Sequence, residues 1–264
     1  MFRFALRRSA WAIPTLLLVT FLVYIALRMG TDPLASYMRS NPRATRSKIA
    51  QYKELNGLGS NYVTGYLSWL KNFVTFNWPN SIKGSREVWP ELKDAIANSA
   101  RLGFAATTVG VSIGLTIGIF AALRPGGKRD VAVNTAAFVG ISIPPYISAI
   151  LLQLLFAVYW SKWFGNTLFP TSGVYPPGQD GFDLVLMIKH MTLPTVVVAI
   201  QIIAVYSRYM RSSLLDVLNS DYMRTARSKG LSEFRILMRH GVRNALIPVI
   251  TIAALDIGAI VGGL

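Results

Sequence analysis

Leu102-Gly-Phe-Ala-Ala-Thr-Thr-Val-Gly-Val-Ser-Ile-Gly-Leu-Thr-Ile-Gly-Ile-Phe-Ala-Ala-Leu123 runs without one charged side chain. A helix needs about 20 mostly apolar residues to cross about 30 Å of hydrocarbon. Inside that layer a chain must satisfy its own backbone hydrogen bonds, which a helix does. The stretch therefore reads as a membrane span, and four more lie around it. They are Trp11–Leu27, with Pro14 in its first turn, then Val131–Ser161, Met191–Ser207 and Ala245–Leu264. The third carries no charge and should kink at Pro144-Pro145, where two ring nitrogens donate nothing to the helix ladder. The last is interrupted only by Asp256.

Composition agrees. Of the 264 residues, 52% are hydrophobic and 15% charged, against roughly 25% charged in soluble domains. Such a surface is too poor in charge to face water everywhere. The net charge of +15 invites a nucleic-acid reading, but the cations sit between apolar runs, as membrane orientation requires, rather than on one solvated face. Nucleic acid is therefore not an expected partner, whereas membrane lipid is. There is no Cys, which excludes disulfides and thiolate metal sites. The apolar run after Arg7 and Arg8 is longer than a signal-peptide core and lacks a small-residue cleavage site, so it reads as an uncleaved first helix.

Short basic connections set the orientation. Arg3, Arg7 and Arg8 precede the first span, and Arg124, Lys128 and Arg129 join the second to the third. Eight more cations, from Arg208 to Arg243, lie between the fourth and fifth. With alternating spans all three regions share one side, the cytoplasmic one, and the N-terminus lies there. The segment from about 30 to 96 then falls outside despite its cations, since long loops translocate largely regardless of charge. Its aromatics (Trp69, Trp78 and Trp89 among them) suit either a lid of short helices or a loop lying on headgroups. The expected organisation is a tail and first helix at 1–29, the outer segment at 30–96, and a core at 97–264 with an inner loop at about 208–244. The sequence stops inside an apolar stretch at Val261-Gly-Gly-Leu264, so a sixth span is expected beyond it.

The inner loop is the most informative region. In Ser220-Asp-Tyr-Met-Arg-Thr-Ala-Arg-Ser-Lys-Gly230-Leu-Ser-Glu-Phe, Ser220 can cap a short helix, Asp221 suits its positive end and Gly230 its left-handed stop. Ser232 can cap a second helix. A separately capped helix at the inner face suits a plug for another protein, or a basic helix resting on anionic lipid.

Elsewhere, Asp256 is costly in mid-span, by about 2.5–3.5 kcal/mol on insertion scales. It either lines a path for a substrate amine or cation, or is an interior carboxyl bonded to a neighbouring helix. Gln201 and Pro144 join it as path candidates, although Gln201, Gln153 and Asn134 are suited first to bonding between helices. Gly110-x-x-x-Gly114-x-x-x-Gly118 and Gly258-x-x-x-Gly262 give two spans faces for close packing. No catalytic set converges. His190 and His240 fall on opposite sides of the membrane and cannot share a metal, and no HExxH occurs. Gly126-Gly127-Lys128 lacks the spacing and hydroxyl residue of a phosphate-binding loop.

The spacing Arg224-Thr225-Ala226-x-x-x-Gly230, followed by Arg239-His240 and Arg243-Asn244-Ala245-x-x-Pro248, resembles the signature loop of binding-protein-dependent ABC importer permeases. It is nearest to the dipeptide/oligopeptide/nickel branch. Arg3-Phe-x-x-Arg7-Arg8, Asp32-Pro33, Ala121-Ala-x-Arg124-Pro125-Gly126, Ser142-x-Pro144 and Thr192-Leu-Pro194 look similar to that branch, and Asp32-Pro33 to its first permease type. The generic loop has Glu where Arg224 stands, Ala at Thr225, Ile at His240 and Pro at Arg243.

The resemblance implies a polytopic all-α bundle of six spans with both ends cytoplasmic, in a prokaryotic plasma membrane. It implies a transport subunit, not an enzyme, forming half of the path for short peptides. Partners would be a second permease, two cytoplasmic ATPases carrying ATP and Mg, and an extracytoplasmic solute-binding protein. This chain would bind no cofactor or metal. Asp221, Tyr222, Arg224, Thr225, Ala226, Lys229 and Gly230 would form the ATPase-coupling segment. Nickel or another small solute is the alternative cargo, and a self-sufficient secondary carrier is the alternative mechanism.

Overall fold

The computed structural model describes residues 2–78, 87–176 and 181–261. Every regular element among them is helical. In chain order these are α1 (Phe2–Gly30), α2 (Pro33–Ser40), α3 (Arg46–Leu55), α4 (Tyr62–Val74), α5 (Val88–Ala122), α6 (Lys128–Ser142) and α7 (Pro145–Gln153). A π-helical turn, Leu154–Tyr159, leads into α8 (Trp160–Phe164). Then come α9 (Leu184–Leu218), α10 (Asp221–Ser228) and α11 (Glu233–Ile236). A second π-helical turn, Leu237–Val242, joins α11 to α12 (Arg243–Val261).

Four helical segments among the described residues are long and apolar enough to cross a membrane: Leu6–Gly30, Val88–Ala122, Pro145–Phe164 and Leu184–Leu218. The first, second and fourth match expected spans; the third matches only the latter part of Val131–Ser161, because α6 is not among them. The fifth falls on α12, and 262–264 lie outside the described residues, together with the Gly262 end of the second glycine face.

Several local expectations need correcting. Pro14 is not in a first turn: α1 begins at Phe2 and carries Pro14 inside it. The third span is interrupted, not merely kinked. α6 stops at Ser142, Ile143 and Pro144 are extended (ψ 117° and 138°), and α7 restarts at Pro145. Proline suits the first position of the new helix because its missing N–H would have no partner there. The helix α5 starts at Val88 and so runs across the expected division at 96/97. α9 runs to Leu218, so the inner loop proper begins well after residue 208.

The chain divides into two compact units, Met1–Ala95 and Ile96–Leu264. In the first, the described residues 33–74 fold into three short helices. Asp32 caps α2 by accepting from the Ala35 N–H at 3.0 Å, and Asn61 caps α4 by accepting from Thr64 at 2.9 Å. Aromatic rings hold these helices to one another and to α1. Tyr66 meets Phe21 and Tyr24 edge-on, and Trp69 stacks on both Tyr66 and Phe73. Tyr37 lies flat on Tyr52 at 4.1 Å. The Tyr66 hydroxyl donates to Leu17 O on α1, and that of Tyr24 to Asn56 O.

In the second unit α9 is the axis: α6, α7 and α12 all pack on it. In its C-terminal half Tyr206, Met210 and Leu214 are buried with Ala122, Val242, Ala245 and Val249. The α5 glycines face it at backbone range. A Cβ on Gly110 would lie 2.7 Å from Ile202 Cβ. One on Gly114 would lie 3.0 Å from Tyr206 Cβ, and one on Gly118 only 2.5 Å from Ser207 O. Lipid tails are as apolar as side chains, so such close packing, not hydrophobicity, draws spans together.

Gly118→Ala should therefore cost about 1–3 kcal/mol through overpacking. Gly140→Ala should cost much less, since its Cβ would meet Ile200 Cγ2 at an ordinary 3.4 Å. Thermal unfolding of the detergent-solubilised protein checks the order, and equal losses would contradict this packing.

Candidate functional site

The segment 220–230 forms a short amphipathic helix. Met223 and Ala226, one turn apart, are buried with Ile236, against Val217, Leu218 and Leu231. Val217 and Leu218 end α9, and Ile236 ends α11, which continues through the π-helical turn into α12. α10 is thus wedged between two long rods. Its outer face carries Tyr222, Thr225 and Lys229 at helical spacing, with Asp221 and Arg224 beside them, all exposed. Arg224 pairs with Asp221 at 3.4 Å, and Arg227 reaches Glu233 of α11 at 3.2 Å.

Ser220 occupies the cap position, but its hydroxyl turns back and donates to Val217 O at 2.5 Å instead of accepting from α10. Ser232 makes no side-chain cap bond either. Gly230 has φ +73°, with nothing within 4 Å of where a Cβ would stand. Its requirement is therefore one of backbone conformation, not of space. Of the seven residues expected to couple, six present themselves outward. Ala226 is the exception: only 7% exposed, it serves the packing side of α10.

The residues expected along a path all have local partners. The Tyr206 hydroxyl donates to Asp256 Oδ2 at 2.7 Å, linking α9 to α12. Gln201 Nε2 donates to Gly140 O at 2.8 Å and Ile143 O at 3.1 Å. Gly140 O is the carbonyl whose helical donor would be the nitrogen of Pro144, which has no hydrogen. Gln201 supplies that donor from α9. Pro144 and Gln201 are therefore one feature, a helix break and its strut. Asn134 bonds within its own helix, to Asp130. His190, near the start of α9, is buried with Nδ1 3.0 Å from Ser172 O, while His240 lies in the second π-helical turn.

A second polar node escaped the sequence reading. Asp130, in the first turn of α6, is buried and forms a two-pronged ion pair with Arg211 of α9, its Oδ2 accepting from Nη2 at 2.6 Å. Oδ2 also accepts from the Gly126 N–H at 2.8 Å. These hydrogen bonds, Arg211 foremost, hold the Asp130 carboxyl down at about 2. The spacing of 81 residues between the partners leaves no local signal in the sequence.

The matched family model, "binding-protein-dependent transport system inner membrane component", covers residues 114–264. The chain is 35% identical over 262 residues to the oligopeptide transport system permease protein AppB of Bacillus subtilis, spanning 98% of this chain and 80% of that protein. It is 34% identical over 265 residues to the dipeptide transport system permease protein DppB of the same organism, spanning all of this chain and 79% of that one. Similarity to the oligopeptide transport system permease protein OppB of Mycobacterium bovis is 34% over 267 residues, spanning all of this chain and 81% of that protein.

The Asp130 pair makes a pH prediction. Its folded carboxyl titrates near 2 and an unfolded one near 3.8, so the stabilisation is complete above about pH 4 and is lost as pH falls toward 2. Arg211→Met should cost about 2–3 kcal/mol at neutral pH, less than a fully enclosed pair because Arg211 keeps some exposure, and should flatten that acid limb. Unfolding midpoints across pH measure both.

The glycine-stitched helices, the wedged inner helix and full-length similarity to transport permeases agree: the chain belongs to the family of binding-protein-dependent transport system inner membrane components, multi-pass membrane transport permeases that work as parts of larger systems.

Proposed function

We propose that this chain forms half of the membrane path of an ATP-driven importer of short peptides. The cargo rests on the relatives, whose names specify oligopeptide and dipeptide transport. The mechanism rests on one observation: α10 is anchored by Met223 and Ala226 to both the α9 rod and the α11–α12 rod, while its other face is open. A push on Tyr222, Thr225 and Lys229 would move both rods together, because neither Met223 nor Ile236 can slide without opening a void.

In this reading the open face docks on a cytoplasmic ATPase, and two such subunits, binding ATP and Mg, close and reopen. A second permease completes the path, and a solute-binding protein delivers peptide from outside. The N-terminus and α10 share the cytoplasmic side, and the helices rock between two openings. Gly230 sets the angle at which the chain leaves α10 toward α11. Asp256 and the Pro144–Gln201 break lie along the path, where a carboxylate held by a tyrosine can meet a peptide amine and an interrupted helix offers backbone carbonyls.

The cysteine-free background makes the docking face testable. A single Cys at Thr225 should crosslink to a copurifying ATPase, and labelling it only from outside the cell would refute the orientation. Gly230→Val should abolish ATP-dependent peptide uptake with normal insertion, because a β-branched residue resists positive φ, whereas Gly230→Asn should keep much of it. Reconstituted vesicles holding all subunits should accumulate di- or oligopeptide only with ATP inside the ATPase compartment. Uphill transport by this chain alone would favour a secondary carrier instead.

A further inference from the structure

The first unit contains a cleft whose place and lining match an anionic phospholipid. Its apolar part, about 440 Å³, lies between the last turns of α1 and the short helices and is walled by Val23, Tyr24, Leu27, Leu58 and Trp69. Beside it lies a polar chamber of about 530 Å³ lined by Arg28, Asp32 and Lys53 among others. The two share Arg28, Thr31, Pro33 and Leu58 in their walls, so an apolar cleft and a charged one adjoin.

Depth and charge both point to a lipid. The apolar part follows α1 from Thr20 to Thr31, about 16 Å of helix rise, which is about half of a 30 Å hydrocarbon core and so one leaflet. α1 is a candidate span as far as Gly30, which puts Arg28 and the charged chamber at headgroup level. Arg28 is held in place by donating to Gly57, Leu58 and Ser60 carbonyls and by lying over the Tyr62 ring at 4.9 Å. Lys53 rests against Gly59. Neither cation has a carboxylate within ion-pair range among the described residues. Asp32 is occupied in capping α2. Two cations, Arg28 held in place and Lys53 exposed, beside a leaflet-deep apolar cleft make a receptor for a phosphate ester carrying an acyl chain.

We infer that this cleft binds one anionic phospholipid, an acyl chain along Val23 and Leu27 and the headgroup phosphate between Arg28 and Lys53. Each cation near an anionic headgroup contributes about a fivefold gain, roughly thirtyfold for the pair.

The test uses the full chain, purified from membranes and placed in detergent micelles doped with equal phosphatidylglycerol and phosphatidylcholine, with retained lipid counted by native mass spectrometry. Phosphatidylglycerol should be retained in roughly thirtyfold preference. Lys53→Gln, which removes the charge at an exposed residue and keeps most of the side chain's length, should cut that preference about fivefold. Leu27→Trp, filling the apolar end, should lower retention of both lipids. Equal retention of the two lipids, or indifference to both substitutions, would overturn the assignment. So would displacement of the lipid by millimolar inorganic phosphate, which would mark a simple anion site. A crosslink from Cys at Val23 to another protein chain, instead of to a photoreactive lipid, would show the cleft to be a subunit interface and equally overturn it.

Discussion

The transmembrane core depends on how near α9 can come to its neighbours. Gly110, Gly114 and Gly118 remove the side chains that would hold α5 off, and Ile202, Tyr206 and Ser207 occupy the space left. α6, α7 and α12 then pack around the rest of α9. In lipid, dispersion forces and shape must supply the attraction that water supplies in soluble proteins. A stripe of small residues against large ones is the simplest way to gain both.

Close packing leaves polar groups to be settled inside the bundle, and α9 settles most of them. Gln201 answers the carbonyl that Pro144 orphans, Tyr206 holds Asp256, Arg211 holds Asp130 and Ser213 donates to Ala245 O. Each bond joins α9 to a different stretch of α6, the break or α12. In a low dielectric such bonds are costly to leave unmade, so they fix the register of helices whose apolar surfaces alone would tolerate sliding. Interrupting the third span at Pro144 is tolerable only because the freed carbonyl points at α9 and not at lipid.

At one end of this bundle α10 converts shape into leverage. Its two buried residues face the ends of two rods at once, and its exposed face is polar and basic. A helix so short is marginal by itself, and it persists because its neighbours bury Met223 completely. Membership in a transport family explains why such a helix should be kept accessible yet firmly seated. The first unit solves a different problem, with aromatic rings and capped short helices where the second uses glycines and interhelical bonds.

Membrane residence, the positions of most spans and the short helix at 221–228 were legible in the sequence because they depend on local quantities: runs of apolar residues and a glycine suited to positive φ at 230. The family resemblance was legible too, since it lay in short spacings around Gly230 and Arg243. Helix ends were less so: α5 and α9 extend well past their apolar runs because a helix can continue through polar residues once outside the hydrocarbon. What only the tertiary structure decided was pairing across distance. That Ala226 faces inward, that Gln201 serves Pro144, and that Asp130 and Arg211 are partners across 81 residues follow from how helices rotate against α9. No local pattern encodes that rotation, because it is set by the sum of contacts over whole faces.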